Sequence, residues 1–272
     1  MGRRIAPSRG RPTKPPSAMP LVCERFPGNS TGMTVRHLFL VLSAMFVAAS
    51  PVAAQSNGCA GFPQAKLNLD GVLAPIQRDD GLTIAQLTRL PGRTPGPAGA
   101  ANSHVLGLTQ ARYGEQSQVS AQVKAMGDGT YCAAASVLAI SFGFQQRIVH
   151  VAREIPASSC LFGEVLAHEM RHVVVDEALL AEMMPQIRGR LEQVTAEMAP
   201  VRSRSQSQAM AAIRRPLESA MRRIMQDFGR ERDRRQAQVD TAEEYERVSR
   251  VCNGEARNYL PKPAQQPTVR RG

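Results

Sequence analysis

Residues 159–180 read SCLFGEVLAHEMRHVVVDEALL, and both the fold and the chemistry turn on this stretch. Leu161, Val165, Leu166, Met170, Val173 and Val174 recur at three- and four-residue spacing, the period of an α-helix with one buried face. Ser158 or Ser159 stands where an N-cap belongs. Within the helix lies His168-Glu169-Met170-Arg171-His172. Side chains four apart share a helix face, with Cβ atoms about 6 Å apart. Two imidazoles so placed converge on one Zn²⁺ with bonds near ~2 Å. Glu169, on the adjoining face, is placed to take a proton from metal-activated water and pass it to a leaving amine. Histidine supplies neutral nitrogen ligands, the helix supplies the spacing, and Glu rather than Asp supplies the reach. With five His and fifteen Glu in the chain, such a pentad arises by chance about once in a hundred sequences. The competing reading is a pair of surface histidines on an amphipathic helix.

Working outward, helical texture continues from Ser159 to about Leu260, rich in Ala, Arg, Glu, Gln, Met and Leu. Pro185 with Gly189, then Pro200, then Pro216 are the expected break or kink points. Met183 and Met184 read as core filler. Arg222–Arg235 (RRIMQDFGRERDRR) interleaves acids with arginines, the pattern of a solvated, ion-paired face. Upstream, residues 55–155 are poor in helix signals, and 90–102 (LPGRTPGPAGAAN) is a loop by composition. His104–Tyr113, Gln118–Met126, Tyr131–Phe144 and Arg147–Ile155 alternate as strands, with a tight turn at Gly127-Asp128-Gly129. The expected fold is α+β: a small antiparallel sheet packed on the HExxH helix, followed by a long helical hairpin. One domain spans residues 55–260, and 261–272 (PKPAQQPTVRRG) read as a flexible tail.

The charge balance directs the reading away from nucleic acid. The chain carries 34 Lys+Arg against 23 Asp+Glu, but seven of the basic residues lie in residues 1–54 with a single acid, Glu24. Residues 55–272 keep 27 basic against 22 acidic side chains, a modest excess. Residues 33–54 (MTVRHLFLVLSAMFVAASPVAA) have the three regions of a secretory signal, with Val52-Ala53-Ala54 as the cleavage site. The apolar run is too short and too soon broken by Pro51 for a stable membrane span. Residues 1–32, Arg/Pro/Ser-rich, read as an over-extended start or a disordered leader. The product is expected to be exported, periplasmic or secreted. Four cysteines follow the signal, Cys59, Cys132, Cys160 and Cys252, enough for two disulfides with three possible connectivities. The expected pairing is Cys59–Cys132 with Cys160–Cys252.

HEMRH, preceded by apolar Val165 and Leu166, resembles the active-site helix of the zincin metallopeptidases. The trailing Val173 to Asp176 resembles the gluzincin branch, in which thermolysin-like enzymes carry HExxHxxxD. The resemblance spans Leu161 to Leu180; beyond it the chain is only loosely similar to secreted bacterial zinc-protease-like proteins. It implies one zinc per chain, His168 and His172 as ligands, Glu169 as general base, and a peptide or protein as substrate. The metzincin extension is absent, since Val175 and Ala178 stand where Gly and His would be.

A third ligand must come from elsewhere. Eight residues carry Asp176 about 12 Å along the axis from His168, too far to share its metal; it is expected to orient a histidine or cap the helix. Asp240 and Glu244, in Val239–Tyr245, sit one turn apart. One is expected to bind zinc while the other holds a histidine Nδ1–H, with Glu244 chosen as ligand. Glu243 is a fallback, as is Glu192, which resembles the third ligand of thermolysin-like enzymes in its spacing but needs a chain reversal at Pro185–Gly189. Tyr245 and His150 are candidate donors to a tetrahedral oxyanion, each weighed against a packing role. The strand holding His150 is also a candidate edge for peptide pairing. The alternative to an enzyme is a non-catalytic envelope protein whose helices form an interaction surface around a vestigial or structural metal site.

Overall fold

The computed structural model describes residues 58–90 and 104–260. The signal, the residues before it, most of the 90–102 loop and the 261–272 tail lie outside the described residues. The spine of the sheet is an antiparallel hairpin of β3 (Gly107–Ala125) and β4 (Tyr131–Val151). Its turn is the one expected at Gly127–Gly129, closed by Asp128, whose carboxylate accepts from the Thr130 amide at 3.1 Å and hydroxyl at 2.6 Å. The four expected strands merge into these two. Register shifts at Arg112/Tyr113 and Ser120/Ala121 bulge the pair without ending it.

The antiparallel sheet expected from the sequence is corrected by the remaining strands, because the sheet is mixed. β1 (Lys66–Leu73) runs parallel to β4, from Lys66 opposite Val137 to Leu73 opposite Phe144. β2 (Ile76–Arg78) also pairs parallel, from Ile76 opposite Arg147 to Arg78 opposite Val149. Short β5 (Val201–Ser203) adds antiparallel at Tyr131–Ala133. The chain after β2, with helix α1 (Ile84–Arg89) and all of β3, supplies the long crossover that parallel pairing requires. Consequently the strand carrying His150 is central, not the edge expected; β3 pairs with β4 alone.

Two long helices cover the sheet. Ser159 caps α2 (Cys160–Glu197), its hydroxyl accepting from the Phe162 amide at 3.1 Å, and α3 (Gln206–Val239) returns beside it. Pro200 lies between them, while Pro185 and Pro216 sit inside the helices, which continue through both. The apolar stripe is continuous through each proline: Leu180, Met183 and Ile187 on α2, Ile213 and Leu217 on α3, all buried in one core with Phe142, Phe144 and Phe228. That packing outweighs the hydrogen bond each proline removes. Arg147, buried on β4, donates to the Ala74 carbonyl at 2.6 Å and pairs with Glu177 of α2 at 2.5 Å, fixing the helix on the sheet. The arginine-rich part of α3 is ion-paired as read, with Asp227, Glu231 and Glu182 as partners.

A final helix, α4 (Ala242–Gly254), follows after a one-residue corner at Asp240 and the cap Thr241. It gives way near its end to Cys252, Asn253 and Gly254, all at positive φ. That turn delivers Cys252 to Cys160 at the start of α2, and Cys59 bonds Cys132 at the start of β4, the pairing expected. Glu255, just beyond, accepts from the Leu161 amide at 3.1 Å and satisfies one of the open donors of α2. Among the described residues no helix is long and apolar enough to cross a membrane.

Candidate metal centre

The helix α2 presents His168 and His172 one turn apart, and the corner between α3 and α4 faces them. Asp240 is the C-cap of α3, its amide donating to the Gln236 carbonyl at 3.2 Å, and Thr241 opens α4 by accepting from the Glu244 amide at 3.2 Å. Asp240 therefore sits at a break, free of helical direction on either side. Its Oδ1 lies 3.3 Å from Nε2 of His168 and 3.3 Å from Nε2 of His172, and the two Nε2 atoms are 3.3 Å apart. Three points with that spacing form one face of a tetrahedron whose centre is about 2.0 Å from each, the bond length zinc takes to imidazole and carboxylate. Among the described residues no fourth histidine, cysteine or carboxylate joins the group, and the cysteines are used in disulfides. Three protein ligands with one vertex left over is the pattern of catalytic rather than structural zinc sites.

Glu244 was the expected third ligand, and the structure places it differently. Its Oε1 lies 3.3 Å from Nδ1 of His168, the other ring nitrogen. Arg247 and Arg171 pair with the same carboxylate and hold its pKa down to about 2. Arg171 Nη2 also lies 3.0 Å from that Nδ1, so this end of the ring stands between a carboxylate and a guanidinium while Nε2 faces Asp240. Burial works against the charge of Asp240, but His168 and His172 together keep its carboxyl well below the usual carboxylate range. Glu243 is exposed and lines a surface groove with Glu246 and Arg250. Glu192 is exposed on the unbroken α2, about 30 Å along the axis from His172.

Glu169 is only 5% exposed. Burial pushes its carboxyl up, against the pull of His172, His168 and the Thr109 hydroxyl. Thr109 of β3 donates to Oε2 at 2.9 Å and lies 2.9 Å from the Glu169 carbonyl. Two residues earlier on the same strand face, Gly107 leaves room for the carboxylate: a Cβ there would lie 2.8 Å from Oε1 of Glu169 and 2.5 Å from Val165 Cγ1. Neither residue was found from the sequence. The available signal was a glycine within an alternating strand, which marks close approach by another group.

His172 is held on its far side. Its Nδ1 faces Oε1 of Gln236, whose Nε2 donates to Asp176 Oδ1 at 2.6 Å and to the His172 carbonyl at 3.1 Å. Asp176, 1% exposed, receives two bonds from Arg232, at 2.8 and 3.0 Å. Asp176 itself contacts Arg232 and Gln236, and only through that amide, which the sequence did not disclose, is it linked to His172. Burial disfavours the charged form of His172, but Asp240, Glu169 and Gln236 outweigh it and raise its pKa above that of an ordinary imidazole.

Tyr245 stands at the rim, 41% exposed, its ring edge-on to His168 at 6.2 Å and its hydroxyl 3.4 Å from Asp240 Oδ1. His150 is not part of the centre. Buried on β4, it spends Nδ1 on the Asp79 carbonyl at 2.9 Å and Nε2 on Gln110 at 3.1 Å. Both ring nitrogens are committed, which leaves no donor for an oxyanion.

The chain matches no protein-family model, no curated protein and no solved structure.

Proposed function

We propose that this chain is an exported zinc-dependent peptidase that hydrolyses peptide bonds by attack of activated water. The observation that carries the reading is the triangle of His168 Nε2, His172 Nε2 and Asp240 Oδ1, each edge 3.3 Å, with Glu169 beside it on the same helix. Zinc bound there would lower the pKa of water and polarise the scissile carbonyl. Glu169 accepts the proton of the attacking water and hands it to the departing amine. Its raised pKa makes the carboxylate a stronger base toward the attacking water. Thr109 steadies the carboxylate from β3. Tyr245 at the rim is within reach of the same space and donates to the developing oxyanion. Among the described residues β3 pairs only with β4, and its other edge offers backbone donors and acceptors beside Glu169 to which an extended peptide would add as a further strand. Two disulfides are compatible with an oxidising compartment outside the cytosol.

The test is metal content and peptide hydrolysis of the purified protein beside Glu169→Gln. One zinc per chain in both, with hydrolysis only in the wild type, is the expected result. Absence of zinc from wild type after metal-replete preparation, or unchanged hydrolysis in Glu169→Gln, overturns it.

A further inference from the structure

The two histidines of the triangle are not held alike. His168 turns Nδ1 toward a carboxylate, Glu244, at the protein surface. His172 turns Nδ1 toward a neutral amide, Gln236, in the crevice between α2 and α3. An amide can be turned either way, and only its partners decide which end is oxygen. Here they decide it. One end of Gln236 meets Asp176 Oδ1 at 2.6 Å and the His172 carbonyl at 3.1 Å, both of which only accept. That end must be the NH₂ group. The other end, facing His172 Nδ1, must then be the oxygen, which only accepts, so Nδ1 must carry the proton. Nε2 faces Asp240 Oδ1 and His168 Nε2, and with the Nδ1 proton held by Gln236 it is Nε2 that gives up its proton to a metal.

Asp176 sets this chain of consequences. It is itself immobile: Arg232 grips both its oxygens, at 2.8 and 3.0 Å, and the guanidinium lies 5.9 Å from the ring centres of Tyr113 and Phe144 in the core. Turning the amide over would set its oxygen against the Asp176 carboxylate and its NH₂ against a protonated Nδ1, two repulsions replacing three bonds.

We infer that Gln236 is a positioning residue that fixes the tautomer of His172 for metal binding, its amide oriented by the Asp176–Arg232 pair. The inference rests on the proposed metal site, and its test separates the two. Zinc alone is titrated into wild type and Gln236→Met against a chromophoric chelator, and the ring nitrogens of His172 are observed by nitrogen-15 NMR. Met keeps the length and helix propensity of Gln but offers no acceptor oxygen. The expected outcome is a loss of about 10- to 100-fold in zinc affinity for Gln236→Met. In the zinc-saturated wild type, His172 is expected with its proton on Nδ1 and Nε2 on the metal. Wild type that binds no zinc overturns the metal reading itself. Zinc binding in wild type with Gln236→Met within threefold of it overturns the positioning role alone. So does an Nε2–H His172 in the zinc-saturated wild type, a measurement that needs no variant to fold.

Discussion

Glu244 Oε1 lies 3.3 Å from Nδ1 of His168, on the opposite side of the ring from the Nε2 that faces Asp240. The two carboxylates thus address two nitrogens of one imidazole, and their removal should have unequal effects. Asp240→Ala is expected to abolish stoichiometric zinc binding, since it deletes a vertex of the triangle. Glu244→Ala, which frees His168 to rotate or change tautomer, should weaken binding by about 10- to 100-fold. Chelator competition on both variants checks this, and full binding by Asp240→Ala would reverse the assignment.

Gly107 tests the approach of β3 to the helix that carries Glu169. A methyl group at that position meets Val165 Cγ1 at 2.5 Å and Glu169 Oε1 at 2.8 Å, so either the strand or the carboxylate must shift. Gly107→Ala is expected to lower stability by about 1–3 kcal/mol, the usual cost of overpacking. It should reduce hydrolysis while leaving zinc stoichiometry intact, because His168, His172 and Asp240 do not touch β3 through this residue. Thermal unfolding beside metal analysis reads both effects.

The helix carrying the histidines was legible because its apolar period and its HExxH spacing fall in one unbroken segment. The third vertex was legible only as a pair. Residues 239–245 were read as part of one helix, which makes Asp240 and Glu244 equivalent neighbours on one face. In fact Thr241 caps a new helix, with Glu244 at its third position, and this Thr-x-x-Glu spacing was present to be read. The cap ends α3 at Val239 and throws Asp240 into the corner, and that break brings it to the two histidines. Gln236 and Arg232 carried no signal, because their role depends on the register between α2 and α3. The parallel strands were hidden for a similar reason. KLNLDGVL (66–73) contains an alternating strand, but its partner on β4 is separated from it by a complete hairpin arm. Sequence-local patterns do not report such a pairing. Pro185 and Pro216 end neither helix, because core packing across each of them is worth more than the local penalty.

The pH dependence of the metal-free protein should oppose that of metal binding. Glu169 and His172 both have folded-state pKa values raised above their ordinary values. The folded chain therefore binds more protons than the unfolded chain from the carboxylate range up through the raised histidine value, and its stability falls as pH rises through that window. Asp240 acts the other way, since its depressed pKa contributes stability above the ordinary carboxylate range that is lost as pH falls below it. Zinc requires both imidazoles deprotonated, so its affinity increases with pH. The shift in Tm between chelator-treated and zinc-saturated protein should accordingly be larger at about pH 8 than at about pH 6. Equal shifts at the two values would deny these groups the ligand role.

The two disulfides should separate stability from metal binding. Cys160–Cys252 joins the start of α2 to the end of α4, the helix bearing Glu244 and Tyr245. Cys59–Cys132 anchors the start of β4, at the end of that strand away from Thr109 and its partner Val149. Replacing either pair by serines should cost about 2–4 kcal/mol, since each closes a long loop in the unfolded chain. Only the Cys160→Ser/Cys252→Ser protein should also lose zinc affinity, by about tenfold, because α4 is then less firmly held and Glu244 no longer steadies His168. Asp240 stays with α3, so binding is weakened without being abolished. Denaturant unfolding and zinc titration of the two double variants measure the separation. Equal zinc affinity in both would mean that α4 is held against α2 without the disulfide, by Glu164–Arg247, Arg171–Glu244 and Glu255–Leu161.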